Sequence, residues 1–315
     1  MTLEIVRFAG LQSGPKLLVL GAVHGNETCG TAAIRATIAD CRDGKLAIQR
    51  GQVTFVPITN AKAYAQGTRE GDRNLNRDLH EYIPPQCHED RVANILCPLL
   101  REHDVLLDIH SFSGTGEPFV FVGPSNNAGA IEPFRWAAEE GAFAACLGPS
   151  LLMHGFLAAH VRAQQDLARR GLPGTSWSKG VGTTEYMRQS GGFAVTIECG
   201  QHRDSRAPDV ARRAILNALA HLGVIDTPAP APSARRAIEV IDAVYALSED
   251  DRLERPFVSG DAIKKDDVIA RRSNGEVLTA PRDGFVIFPQ AKPKPLVEFY
   301  YFGVASARFQ HLQED

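Results

Sequence analysis

The 315-residue sequence contains no apolar run approaching the ~18–20 residues that a membrane-spanning helix needs. It also lacks a dominant charge. Its 34 basic and 37 acidic side chains give a formal net charge of −3, with both signs spread along the chain. That removes the electrostatic footprint of a nucleic-acid binder or of a protein held on an anionic membrane. Cysteine is sparse, and Cys29, Cys41, Cys87, Cys97, Cys146 and Cys199 form no CxxC pair. They read as reduced thiols of a cytoplasmic protein, some of them small core residues. The N-terminal MTLEIVRFAG carries charge within its apolar stretch and lacks a signal-peptide pattern, which points to the same compartment. Internal repeats and long low-complexity tracts are absent too.

The length suits one large α/β domain with a sizeable core plus a smaller domain. The clearest boundary is DTPAPAPS, where alternating proline and alanine cannot continue a helix and read as a semi-rigid linker. We therefore expect a domain over 1–226, a linker over 227–233 and a β-rich domain over 234–315. Before the linker, LLVLGA (17–22), VTFVPI (53–58), VLLDI (105–109), PFVFVG (118–123) and FAVTIE (193–198) have the composition of strands buried on both faces. Between them, Val92, Ile95, Leu96, Leu99 and Leu100 follow helical spacing, as do Val210, Ile215, Leu216, Leu219 and Leu222 behind Pro208. Alternating β and α predicts a mostly parallel or mixed sheet covered by helices on both faces. After the linker, Asn274-Gly275 gives a type I′ hairpin signal and Asp283-Gly284 precedes FVIF, so the run from Gly260 to Phe288 reads as a small all-β module. Its APRDGFV resembles the hairpin of lipoyl- and biotinyl-type domains. No modifiable lysine sits at the tip, so we read it as a structural cap.

Ligands of open α/β sheets bind beyond the carboxyl ends of the strands. Three apolar strands here end in residues suited to metal chemistry. LVLGAV ends at His24, with Glu27 a turn further on; VLLDI ends at His110; FAVTI ends at Glu198. If these strands are parallel, His24, Glu27 and His110 form a His₂Glu set with one position open for water, the pattern of a catalytic zinc. Each piece alone is weak. Glu27 also suits the first turn of a helix, and Asp108 either orients His110 or is simply a buried acid. An ionised acid such as Glu198 is seldom buried without a partner. The segment AQGTREGDRNLNRD carries Arg69, Arg73, Asn76 and Arg77. It reads equally as a solvated charged loop or as an anion clamp.

HGNE, TR…NLNR, DIH and IECG, in this order and spacing, resemble the succinylglutamate desuccinylase/aspartoacylase family, zinc amidohydrolases related to the zinc carboxypeptidases. The resemblance spans roughly residues 15–225. It implies a carboxypeptidase-like mixed sheet flanked by helices, with a smaller C-terminal all-β domain. It also implies one zinc per chain on His24, Glu27 and His110, with Glu198 as general base and acid. Arg69 would then lie near the scissile carbonyl, Asn76 and Arg77 would grip a substrate carboxylate, and Arg188 would meet a further acid group. The implied reaction is hydrolysis of the amide of a small N-acyl amino acid by zinc-activated water. GTTEYMRQSGG does not reproduce the tyrosine of aspartoacylase, and DIHSFSGTG differs from the loops of either named enzyme. These departures bear on the substrate more than on the reaction. Tyr300 and Tyr301 are both candidates for a pocket tyrosine, with a core strand as the alternative for VEFYYFG.

Three other readings stand beside this one. A carboxypeptidase would use the same site on short peptides. A non-catalytic module would keep the fold but gains nothing from Glu198 beside three ligands. A cysteine hydrolase would need Cys29 or Cys199, the latter pointing away from Glu198 if the strand continues. A small-molecule substrate is expected, with neither nucleic acid nor membrane as partner; a homo-oligomer stays open.

Overall fold

The computed structural model of the protein describes residues 3–173 and 177–310. One sheet organises it, with strands in the order β1 (Val6–Ala9), β3 (Arg50–Val56), β2 (Gln12–Gly21), β4 (Val105–Phe112), β7 (Phe193–Gln201), β5 (Phe119–Phe121), β6 (Leu151–His154), β8 (Arg236–Tyr245), β14 (Glu298–Ala305), β13 (Gly284–Ile287) and β10 (Asp261–Ile263). β3, β2, β4 and β7 run parallel, whereas β5 lies antiparallel to β7, so the sheet is mixed. A small antiparallel sheet holds β12 (Val277–Thr279), β11 (Val268–Arg271) and β9 (Arg252–Leu253).

The central strands are apolar because both faces are covered. Leu17, Val19, Leu107, Ile109, Val195 and Ile197 pack against α1 (Cys29–Arg42), α4 (Ala137–Cys146) and α7 (Ala207–His221). The alternate residues Leu18, Leu20, Leu106 and Ala194 face α3 (His88–Arg101) and α6 (Thr183–Gln189). This two-residue alternation settles which way each polar residue points. Asp108 and His110 share the face of Leu106, while Cys199 joins the face of Val195 and Ile197. Two further helices are α2 (Ala61–Gln66), which follows β3, and α5 (Phe156–Arg169), which packs against β8. Among the described residues no helix is long and apolar enough to cross a membrane.

The main sheet runs straight across the Pro/Ala segment, since β6 pairs in parallel with β8 from Leu151↔Arg236 to His154↔Glu239. The expected all-β module is likewise divided, with β10 and β13 in the large sheet and β11 and β12 in the small one. At the expected type I′ turn only Gly275 has positive φ, at 90°. A type I′ turn needs it at both central residues. Arg272 N instead donates to Glu276 O at 2.9 Å, which leaves a three-residue loop with glycine in the left-handed position.

Candidate active site

The exit of β2 is sharply bent. Ala22 adopts φ +47°, uncommon for a residue with a Cβ. It is tied down by Thr59 N to Gly21 O and Asn60 N to Ala22 O, both 2.9 Å. The chain then closes a turn in which Glu27 N donates to His24 O at 3.1 Å. Gly25 is required there, because a Cβ would come within 2.0 Å of the Ala63 carbonyl carbon. Helix α1 starts only at Cys29, so Glu27 precedes it and is not an acid of its first turn.

The parallel register brings the other residues to the same edge, with His110 of β4 paired directly to Glu198 of β7. His24, Glu27 and His110 are each at least 98% buried. His24 Nδ1 lies 2.9 Å from Glu27 Oε1, His110 Nδ1 lies 2.8 Å from Glu27 Oε2, and the two ring nitrogens are 3.2 Å apart. All three ligand atoms fall within 4.8 Å of one another. Acceptor atoms this close and this buried require protons or a cation between them. Protein groups meet that need here: Arg69 Nη1 donates to Glu27 Oε1 at 3.0 Å, and Ser111 N donates to Glu27 Oε2 at 3.1 Å. Burial works against a charged His110, but Asp108 and Glu27 raise its pKa well above the usual value. Burial, together with the Arg69 charge, lowers His24 to about 4. Burial would also push Glu27 up, but the two histidines hold it well below the ordinary carboxylate range. Two histidines and a carboxylate with converging atoms fit a divalent cation of the zinc type, three protein ligands being the number that leaves a fourth position to water.

Groups behind these three orient them. Asn74 Oδ1 accepts from His24 Nε2 at 3.1 Å, which leaves Nδ1 as the ligand atom. Asp108 Oδ2 lies 2.9 Å from His110 Nε2, although at an angle that gives Nε2 no aligned acceptor, so we read this contact as ionic. Thr183 Oγ1 donates to the same carboxylate oxygen at 2.5 Å, linking α6 to the site. Glu198 is 8% exposed and its Oε2 has no partner. Burial, then the neighbouring Glu27 charge, pushes its pKa up to about 8. The result is a carboxyl able to exchange a proton near neutrality beside the ligand set.

The arginine segment divides its roles. Arg69 reaches the ligand set and stays 48% exposed. Asn76 Oδ1 accepts from Thr183 N at 2.8 Å, which turns the amide NH₂ away from α6. Arg77 faces the far end of the sheet, with Nη2 3.6 Å from Glu298 Oε1. A bulge in β14 explains why Glu298 is there. The register moves from Glu298↔Tyr245 to Tyr300↔Val244, one residue extra, so Glu298 and Tyr301 end on the same face. Tyr301 therefore lies on the site side among Phe156 and Phe288, and Tyr300 packs into the opposite core with Phe299.

Arg73 and Arg188 are not brought to this group. Arg73 is an internal brace, donating from Nε to Asp90 at 2.9 Å and from Nη1 to the carbonyls of Asn74 and Arg77. Arg188 is buried and fully engaged with Glu140 at 2.9 Å, Glu132 at 2.8 Å and Ala194 O at 2.7 Å. Ala194 pairs with Leu106, whereas Glu198 pairs with His110. Four residues of strand place Arg188 about 13 Å below the site. It knots α4 and α6 to β7 and has no free donor fork for a substrate.

Sequence reasoning did not single out Asn74, Glu298 or His202. His202 Nδ1 lies 2.8 Å from Ser111 Oγ, next to His110. No spacing rule marks these residues, because each is placed by a contact between distant segments.

Comparison with known proteins gives a consistent picture. The sequence profile described as the succinylglutamate desuccinylase/aspartoacylase catalytic domain matches residues 13–222. Among solved structures, the chain is similar to a succinylglutamate desuccinylase/aspartoacylase from Rhodobacter sphaeroides, at 20% identity over 96% of this chain and 90% of that one, with TM-score 0.73. It is similar to the product-bound ectoine utilization protein EutE (DoeB) from Ruegeria pomeroyi, at 22% identity over 95% and 88% of the two chains, with TM-score 0.70. It is also similar to an aspartoacylase family protein from Mesorhizobium loti, at 18% identity over 98% and 90%, with TM-score 0.66. At these identities the structures speak for the fold. No curated protein matches the chain.

Proposed function

This chain belongs to the succinylglutamate desuccinylase/aspartoacylase family of amidohydrolases, and from that premise we propose that it hydrolyses the amide bond of a small N-acyl amino acid with the help of one zinc ion. The observation that carries this reading is the convergence of His24, Glu27 and His110 beside an unpartnered Glu198 oxygen and the Arg69 guanidinium.

His24, Glu27 and His110 would hold the zinc. When bound, it supplies Lewis acidity that acidifies water and polarises a carbonyl. Glu198 takes a proton from water at Oε2 and returns it to the departing nitrogen, work worth about 10²–10⁴ in rate. Arg69, already half-exposed beside Glu27, donates to the oxygen on which negative charge develops. Asn76 and Arg77 hold the carboxylate of the amino-acid part, which favours N-acyl amino acids over neutral amides. Keeping Glu27 ionised between two histidines preserves its affinity for a cation. We place the protein in the cytoplasm, where its six free cysteines stay reduced.

The test is turnover by purified protein across acetyl, succinyl and formyl derivatives of acidic and basic amino acids, with short peptides alongside. We expect N-acyl amino acids to be cleaved, and activity to fall with chelator and return with zinc. Cleavage of the peptides alone would make it a carboxypeptidase; loss of activity to alkylation but not to chelator would point to Cys29 or Cys199.

Arg77→Ala should mainly raise KM, because a carboxylate grip acts alike in ground and transition states. Amidating the substrate's α-carboxylate should weaken turnover heavily in the parent and little in this variant, since both changes remove one contact. An equal amidation penalty in the two proteins would move the grip to another residue.

A further inference from the structure

The segment that carries Arg69, Asn74 and Arg77 has little intrinsic structure. Among the described residues, positions 69 to 73 make no backbone-to-backbone hydrogen bond, and a short turn follows at Leu75–Asn76. The amides of residues 71 to 73 instead converge on one side chain, Glu89, the second residue of α3, which is fully buried. Glu89 Oε1 accepts from Gly71 N at 3.0 Å, Asp72 N at 3.2 Å and Asn60 Nδ2 at 2.9 Å. Its Oε2 accepts from Asp72 N at 3.0 Å and Arg73 N at 3.3 Å. Three successive N–H groups around a carboxylate form a nest of the kind that holds free anions elsewhere. Here the anion is a side chain of the same protein. Gly71 is required by the approach, because a Cβ there would meet Glu89 Oε1 at 2.4 Å.

The contacts continue from the nest into the site. Asn60 ties Glu89 to the end of β3 and to α2 by accepting from Ala63 N at 3.2 Å. Next to Glu89, Asp90 holds Arg73, whose Nη1 reaches the carbonyls of Asn74 and Arg77. Asn74 then meets His24, and Arg69, on the other side of the nest, meets Glu27. Asp72, Cys87 and Glu89 also bring three ligand-type atoms together. Both oxygens of Glu89 are already saturated by N–H donors, a polarity that suits an anion and opposes a cation.

We propose that Glu89 is a positioning residue: its buried carboxylate, received by the amides of Gly71, Asp72 and Arg73, sets where Arg69 and Arg77 stand. The role rests on the proposed reaction only for its effect on substrate. The clamp itself has a readout free of activity. Glu89→Gln keeps the shape but turns an NH₂ group toward donors, so the nest opens. Displacing the arginines by ~1 Å should lower kcat/KM by about 10²-fold with zinc content unchanged.

Two measurements decide it. The first is hydrogen exchange, in which the amides of 71–73 should be protected in the parent. In Glu89→Gln they should exchange at least about tenfold faster while the β4 and β7 amides keep their rates. The second is the ratio of kcat/KM for an N-acyl amino acid to that for its α-amide, which should collapse in the variant. Mere destabilisation lowers both activities together and leaves that ratio alone. Gly71→Ala, which presses on the same contact from the loop, should reproduce both effects if Glu89→Gln fails to fold. Free exchange at 71–73 in the parent, or an unchanged amidation ratio in a variant with an opened loop, overturns the proposal. A parent that hydrolyses no N-acyl amino acid overturns the proposed reaction instead, and the exchange data still decide the clamp.

Discussion

His24→Ala and His110→Ala should yield protein without stoichiometric zinc and without turnover above background. Each removes one ring nitrogen from a set of three whose atoms lie within 4.8 Å of one another, and a two-residue remnant does not hold a catalytic zinc. The two variants differ in what they leave behind. His110→Ala strips the ionic partner from Asp108 and one partner from Glu27, both buried. Breaking such a pair costs about 3–5 kcal/mol, so this variant should also melt earlier. His24→Ala is gentler, because Glu27 keeps Arg69 and the Ser111 amide. Elemental analysis gives the metal content, and a thermal melt with added zinc gives an independent check. Zinc should raise the parent's Tm in proportion to its occupancy and leave both variants unmoved. Full metal content in both variants would sink the ligand assignment.

Glu198→Gln should behave in the opposite way, folding with its zinc and losing about 10²–10⁴ of kcat, because only the proton carrier is removed. Its metal-free form gives a second signature. The Glu198 carboxyl has a pKa near 8 in the fold against about 4.3 in the unfolded chain. Between those values the folded protein binds a proton that the unfolded chain has released. The associated stability is therefore complete below about pH 4 and is lost as the pH rises toward 8. Glutamine does not titrate, so chelated Glu198→Gln should gain on the chelated parent through that window, by up to a few kcal/mol at its upper end. Glu27, held low by its histidines, titrates in both proteins and largely cancels. Melts of the two chelated proteins at pH 5 and pH 8.5 give the comparison. A gap that does not widen with pH would remove burial as the cause of the raised pKa, and near-normal kcat would remove Glu198 from the reaction.

Much of this arrangement is legible in the chain's local patterns. LLVL, VLLDI and FAVTI are apolar but for Asp108 and Thr196, and only strands covered on both faces have reason to be so. Once they lie parallel, the residues that end them must share an edge, which is where His24, His110 and Glu198 stand. The roles of the arginines were not legible in the same way. Arg69, Arg73 and Arg77 stand four residues apart in one polar loop, yet one reaches Glu27, one braces the loop and one faces Glu298. Arg188 resembled a substrate ligand by its distance from Glu198 along the chain. That distance includes the turn from α6 into β7, and the turn returns it to the bottom of the sheet.

The α/β class, the alternation that sends Asp108 and His110 to one face, and the presence of metal-type ligands at strand ends are all written in short stretches of the chain. These follow from local periodicity and burial, which neighbouring residues encode. Long-range packing alone settles that Asn74 orients His24, that Glu89 receives the loop amides, and that Tyr301 rather than Tyr300 turns toward the site. The first two depend on contacts between segments far apart in the chain. The last depends on a single extra residue in β14, which reverses the facing that strict alternation would give Glu298 relative to Tyr301. No local pattern records a bulge or a carboxylate arriving from another helix, because each is settled by packing after the sheet has formed.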